Sequence, residues 1–403
     1  MKRTCPASVK LFLVLTLFTL VALASVSAQT EKILYTFTGG EDGATPYAGL
    51  VSDGKGNLYG TTYGGGSSIC QCGTVFELSP DSNGTWSEQT IYSFAGTPSD
   101  GASPISQLIF DGKGNLYGTT VTGGNNGFGS VFELSLGTNS TWTDKTIYSF
   151  QFPGGIFPYG GVVRDPAGNL YGVTNQGGAY QLGTIFELTP GTDGSWTEET
   201  LYDFTGANDG SLPENLLILD PAGNLYGTAQ YAGPNDYGSV FELKRGSSDT
   251  WTLKVIYAFT GVSGLNPASS LVFDSAGNLY GTAETTAFEL VPGSNGTWTE
   301  EMLHAFTGGS DGADAVSGLT LDKGGNLYGT TGRGGLHQGT VYKLKPGSGG
   351  SWSEKILHRF AGGAGDGAFP SIANLLRDAS GNLYGTTPSG GRFGAGVVYE
   401  ITP

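Results

Sequence analysis

Gly56-Asn57-Leu58-Tyr59-Gly60, GNLYG, recurs in this chain of 403 residues at Gly114, Gly168, Gly223, Gly277, Gly325 and Gly381. Successive copies stand 48 to 58 residues apart. That period marks a stack of supersecondary units, none of which can bury its apolar face alone. Around each copy the same four segments follow in order. A short apolar run ends in Asp, as Leu50 to Asp53. The GNLYGTT run follows, then a Gly-rich loop and a third run such as GTVFEL from Gly73. The fourth runs from Trp to Phe, as Trp86 to Phe94 or Trp142 to Phe150. Four short strands per unit, punctuated by turn residues, is the pattern of a propeller blade. Period-two alternation along the fourth strand predicts that its Trp, Tyr and Phe share one face and pack between blades.

The two ends of the chain complete each other. Glu31 to Phe37, EKILYTF, matches the end of a fourth segment with no first three before it, and the unit beginning near Ile372 stops after its third. The expected fold is therefore an all-β, seven-bladed β-propeller with four antiparallel strands per blade. N-terminal strand 31–37 completes the C-terminal blade and closes the ring. Closure removes the open sheet edges that would template aggregation. Seventy glycines and 12% aromatic residues against 13% charged ones suit many tight turns between strands packed on both faces.

Residues 1–28 read as a cleaved signal peptide: Lys2, Arg3 and Lys10 precede an apolar run from Leu11 to Ala24, and Val26-Ser27-Ala28 supplies small residues for cleavage before Gln29. Residues 29–403 then form a single domain, secreted or periplasmic, with no membrane span left after cleavage and a monomer as the expected state. Counting back from Phe37 puts the missing seventh Trp at Gln29. The formal net charge is −16, and losing the three leader cations makes the mature chain more negative. Such a surface repels phosphate backbones and excludes nucleic acid as a partner.

Candidate chemistry is sparse. Cys70 and Cys72 form a CxC pair in an exported setting and are expected to form a local disulfide rather than a metal site. Asp53 and its six counterparts, each three residues before the GNLYG glycine, could suggest calcium, but Asp opening a tight turn closed by glycine explains them as hairpins. His304 and His358 take the place of the fourth-strand Tyr, and His337 sits in a loop beside Arg333 and Gln338. No catalytic set, metal site or cofactor is legible. Loops joining the fourth strand to the next first strand share a face with those joining second to third. The former carry Asp42, Asp100, Asp209, Asp311 and Asp366 in Asp-Gly pairs, and the latter hold Tyr180, Tyr231, Tyr237, Arg333 and Arg392. These ten are the candidate ligand-binding residues. Acids converging on a channel mouth would suit a cation such as calcium, or a polyol. In the fifth unit the second-to-third loop collapses, which could open a lateral notch.

The recurrent L-x-x-D-x-x-G-N-L-Y-G-T-T, then G-G, G-T-V-F-E-L and W-x-E-x-x-I-Y-x-F, resembles the GloVer tandem repeat of bacterial choice-of-anchor proteins over essentially the whole mature chain. The resemblance implies an exported bacterial repeat protein. More distantly, D-x-x-G-N-L-Y is similar to hairpins of NHL and gluconolactonase-like propellers. The expected role is non-catalytic binding of an extracellular carbohydrate or a cell-surface protein through the loop face. The alternatives are a propeller hydrolase or lyase acting on a lactone or polysaccharide, and a purely structural scaffold.

Overall fold

The computed structural model describes residues 30–403 except 68, 97, 140, 248–249, 316 and 371–372. The leader and Gln29 lie outside the described residues. Seven four-stranded antiparallel sheets follow one another around a ring. In blade 1 the strands, lettered a to d, are Val51–Ser52, Leu58–Thr62, Thr74–Pro80 and Trp86–Ser93. Blade 7 takes strands a to c from Leu376–Arg377, Leu383–Thr387 and Val397–Thr402, and strand d from Thr30–Thr36 at the other end of the chain. Glu31 faces Ile401 and Tyr35 faces Val398 across that seam. The chain ends therefore close the ring.

Each residue of the repeated heptapeptide has its own task. Gly56 turns the a–b hairpin at φ +111°, a left-handed conformation that glycine adopts without a Cβ clash. Asp53 Oδ1 accepts from the backbone N–H of Lys55 and Asn57, and Asp53 Oδ2 accepts from Asn57 Nδ2 at 2.9 Å. Leu58 is buried. Tyr59 packs edge-on to Trp142 of the next blade, centroids 6.2 Å apart, and five further blade pairs repeat this contact. At the remaining junction Tyr328 instead carries the Arg377 guanidinium over its ring at 5.9 Å. Gly60 lies under the ring of Phe76, where a Cβ would stand 2.6 Å from Cζ. Thr61 Oγ1 donates to the Ser106 carbonyl of the next blade at 3.5 Å, while Thr62 Oγ1 meets Thr74 Oγ1 at 2.8 Å within its own.

Strand d departs from simple alternation. Val75 pairs with Tyr92 but Phe76 with Thr90, so Ile91 is an extra residue in a β-bulge, and the same register shift recurs in every blade. The bulge reverses the faces. Trp86 packs against Tyr384 of the preceding blade, whereas Phe94 packs against Phe132 of the following one, centroids 5.1 Å apart. The expectation that Trp, Tyr and Phe share one face is thus corrected: an inserted residue shifts the phase of a period-two strand. Phe94–Phe132 has a counterpart at all seven junctions, ending in Phe306–Tyr342 and Phe360–Tyr399. Each aromatic pair contributes about 0.5–1.5 kcal/mol beyond its buried area.

Candidate ligand face and blade junctions

Because the bulge turns the upper half of strand d toward the next blade, its Tyr meets the acid of the neighbour's W-x-E motif. At the junction of blades 1 and 2, Tyr92 donates to Asp100 Oδ2 at 3.0 Å. The same carboxylate accepts the Ala95 N–H through Oδ2 and the Gly101 N–H through Oδ1. Asp144, on strand d of blade 2, stands against this pair. Burial first, then Asp100, pushes its carboxyl up to about 7. At the seam between blades 7 and 1, Tyr35, Asp42 and Glu88 form the same group. Tyr35 and the Thr38 N–H donate to Asp42, and burial pushes Glu88 up to about 7 against the pull of its bond from Thr90. Asp209 accepts from Tyr202, from the Thr205 N–H and from Thr205 Oγ1, but Leu253 stands where the neighbour's acid would be.

In the last two junctions histidine replaces the tyrosine. His304 Nε2 lies 3.9 Å from Asp311 Oδ2 and 3.6 Å from Glu354 Oε1. Burial holds His304 below the usual range despite Asp311, and pushes Glu354 up to about 7. His358 Nε2 lies 3.2 and 3.3 Å from the two Asp366 oxygens, with Glu31 of the closing strand beside them. The five Asp-Gly acids therefore stand at separate junctions along the outermost strands, each closed around its own turn, and do not converge on the axis.

The axis is occupied by the segments that precede strand a. Gln107, Gly161, Leu216, Ser270 and Asn374 approach one another around a cavity of about 30 Å³, room for one or two waters and not for a sugar ring. The rim above it is built on a strained ring. Thr45, Ser103, Phe157, Leu212, Asn266, Asp314 and Phe369 occupy one equivalent position per blade, with φ from +50° to +60°. The Phe157 N–H donates to the Phe128 carbonyl of the preceding blade, while its own carbonyl accepts from Asn175 N–H. The same strap recurs at Ser103, between Cys72 and Val121. These two-sided bonds hold a conformation that costs roughly 1–3 kcal/mol per residue.

The rim has two unlike sectors. Blades 1 to 3 contribute aromatic rings, with Tyr47 edge-on to Tyr63 and Phe128 edge-on to Phe157, each pair at 5.9 Å. Blades 4 to 6 contribute acids. Glu214 accepts from Asn175 Nδ2 at 2.9 Å, Glu284 from Asn266 Nδ2 at 2.9 Å, and Asp314 pairs with Arg333 at 3.1 Å. Tyr159 and Glu214 border the axial cavity. Burial pushes the Glu214 carboxyl up, and burial followed by Glu214 and Tyr63 raises Tyr159. The collapsed loop of blade 5 is a tight hairpin in which Ala283 faces Thr286, and it presents Glu284 to the rim. Farther out on this face, Tyr180, Tyr231 and Tyr237 are exposed, and Arg392 lies over Phe393 at 5.5 Å. A disulfide joins Cys70 to Cys72 in the b–c loop of blade 1. Of the thirteen exposed large apolar side chains described, all but Leu136 and Met302 sit in or beside loops of this face.

The W-x-E acids and the rim residues Tyr159, Glu214 and Glu284 are absent from the ten candidates read from sequence. The acid two residues after Trp recurs visibly, but without the bulge nothing points it at the neighbouring blade. Among the described residues no helix is long and apolar enough to cross a membrane.

A model of the Gloeobacter/Verrucomicrobia repeat matches residues 16–218, 138–287 and 283–403. No curated protein matches the chain in sequence. Among solved structures, an inactive histidine-to-alanine form of virginiamycin B lyase from Staphylococcus aureus, with quinupristin, is similar at 14% identity and TM-score 0.58, over 93% of this chain and 99% of that one. The extracellular domain of BT4673 from B. thetaiotaomicron is similar at 15% identity and TM-score 0.59, over 93% of this chain and 42% of that one. A gluconolactonase from Xanthomonas campestris aligns at 15% identity over 76% of this chain and 86% of that one, with TM-score 0.41, too loose a superposition to carry chemistry across.

Proposed function

The chain belongs to the Gloeobacter/Verrucomicrobia repeat family, and from that premise we propose that it is an exported, non-catalytic propeller that binds an extracellular carbohydrate on its loop face. The observation that carries this reading is the gathering of exposed aromatic side chains on one face, around a rim with rings on one side and carboxylates on the other. Aromatic rings stack on the C–H faces of a pyranose, and carboxylates accept from its hydroxyls. With an axial cavity of about 30 Å³, the sugar lies across the rim rather than inside it. Export agrees with the leader-like segment and with a fold shared by an extracellular domain.

A hydrolase or lyase reading draws on the likeness to virginiamycin B lyase, whose inactive form lacks a histidine. The described histidines of this chain give it little support. His304 and His358 lie on outermost strands, and His337 lies in the b–c loop of blade 6. A glycan array with the purified protein, followed by calorimetry on the best ligand, tests the binding reading. Tyr159→Ala and Glu214→Gln should each weaken binding at least tenfold. Absence of glycan binding together with a measurable turnover would replace this reading with the enzymatic one.

A further inference from the structure

The junction of blades 6 and 7, against which the closing N-terminal strand packs, carries a His/Asp/Glu group tighter than its counterpart His304, Asp311 and Glu354 between blades 5 and 6. At five junctions the strand-d aromatic is Tyr35, Tyr92, Tyr148, Tyr202 or Tyr257, which can donate one hydrogen bond. At the junction of blades 6 and 7 it is His358, set between Asp366 of its own blade and Glu31 of the N-terminal strand. One ligand atom from each of these three residues lies within 4.8 Å of the other two, the one such group among the described residues. Nε2 is 3.2 Å from Asp366 Oδ1. Ligands about 2.1 Å from a tetrahedral ion stand roughly 3.4 Å apart, so the spacing suits a small divalent cation.

A second observation, shared with the equivalent acids Asp144, Glu300 and Glu354, gains weight here because an imidazole and a second carboxylate converge on it. Glu31 Oε1 is shielded from solvent and meets no hydrogen-bond donor. A buried acceptor left unmatched is costly, and a cation among the three side chains would satisfy it. Asp366 is already oriented by the N–H groups of Ala361 and Gly367, which fix the carboxylate while leaving lone pairs free.

The geometry points to a zinc-class divalent cation site formed by Glu31, His358 and Asp366, which clips the closing N-terminal strand to the neighbouring blade. One imidazole nitrogen and two carboxylates make a three-ligand set with a further position for water, and the nitrogen favours zinc over calcium or magnesium. Coordination uses the Nε2 lone pair and ionised carboxylates, so any proton held on these ligand atoms leaves to solvent when the ion binds. Glu31 sits on the strand that joins the two chain ends, so the ion would secure the seam from a second side.

Zinc titration of tag-free, chelator-stripped protein by calorimetry, with thermal unfolding in parallel, tests this. One ion per chain should bind and raise the melting temperature. His358→Tyr installs the residue that five other junctions carry, and Glu31→Gln keeps the shape of the side chain, so both should retain the circular dichroism of the parent. Each should lower zinc affinity at least tenfold and abolish the thermal shift. Failure of the parent to bind zinc, or binding that survives either variant, overturns the site.

Discussion

An alanine at Gly60 would set a methyl group 2.6 Å from Phe76 Cζ and 3.0 Å from Leu50 Cδ2. Both neighbours are fully buried and cannot retreat, so Gly60→Ala should destabilise the fold by about 1–3 kcal/mol in urea unfolding. Gly112→Ala, where no atom lies within 4 Å, should stay within about 0.5 kcal/mol of the parent. The carboxyl pairs across blade junctions make a different prediction. Glu88 and Asp144 titrate near 7 in the fold, above their ordinary carboxylate range, so the folded protein holds protons that the unfolded chain releases. Their contribution is present in full below that ordinary range and is lost as pH rises through 7. The urea midpoint should therefore fall between pH 5 and pH 8, and Glu88→Gln should flatten part of that fall. A midpoint rising over the same interval would contradict the pairing.

Strand d shows how one inserted residue sets the assembly of a whole element. Without the bulge at Ile91, Trp86, Glu88, Tyr92 and Phe94 would all face one neighbour. With it, the lower half addresses the preceding blade and the upper half the following one, which is why Tyr92 meets Asp144 and Trp142 meets Tyr59. The closing strand is the same element supplied from the far end of the chain, and it brings the buried Leu34 and Phe37 with it. Deleting Glu31 to Phe37 removes both core side chains and uncovers the outer edge of Val397–Thr402. The expected loss is at least about 5 kcal/mol, read as a sharply lowered melting temperature. An unchanged melting temperature would contradict closure by this strand.

At the scale of the molecule the two faces of the ring differ. One face carries the Asp-x-x-Gly-Asn hairpins, nearly identical in every blade because each closes on its own Asp. The other carries the variable loops and, among the described residues, nearly all the exposed large apolar side chains, so a partner has one face to read. If that face binds through the rim, Tyr180→Ala in the outer loops should change affinity less than threefold while Tyr159→Ala removes it, as measured on one glycan by calorimetry. Equal losses would move the site outward.

The repeat, the blade count and the closure were legible in sequence, because GNLYG encodes a local hairpin and the orphan strand Glu31 to Phe37 has only one place to pair. These are short-range consequences of turn chemistry and strand alternation. The side chains that meet across blades were not legible. Tyr92 and Asp144 are 52 positions apart, and only the bulge at Ile91 decides which neighbour each strand face addresses. Likewise Asp42, Asp100, Asp209, Asp311 and Asp366 share a loop type, yet the ring spreads them along its circumference. Tyr159, Glu214 and Glu284, unremarkable in their own segments, are brought to a common rim because blades packed around an axis gather at its end what the chain keeps far apart.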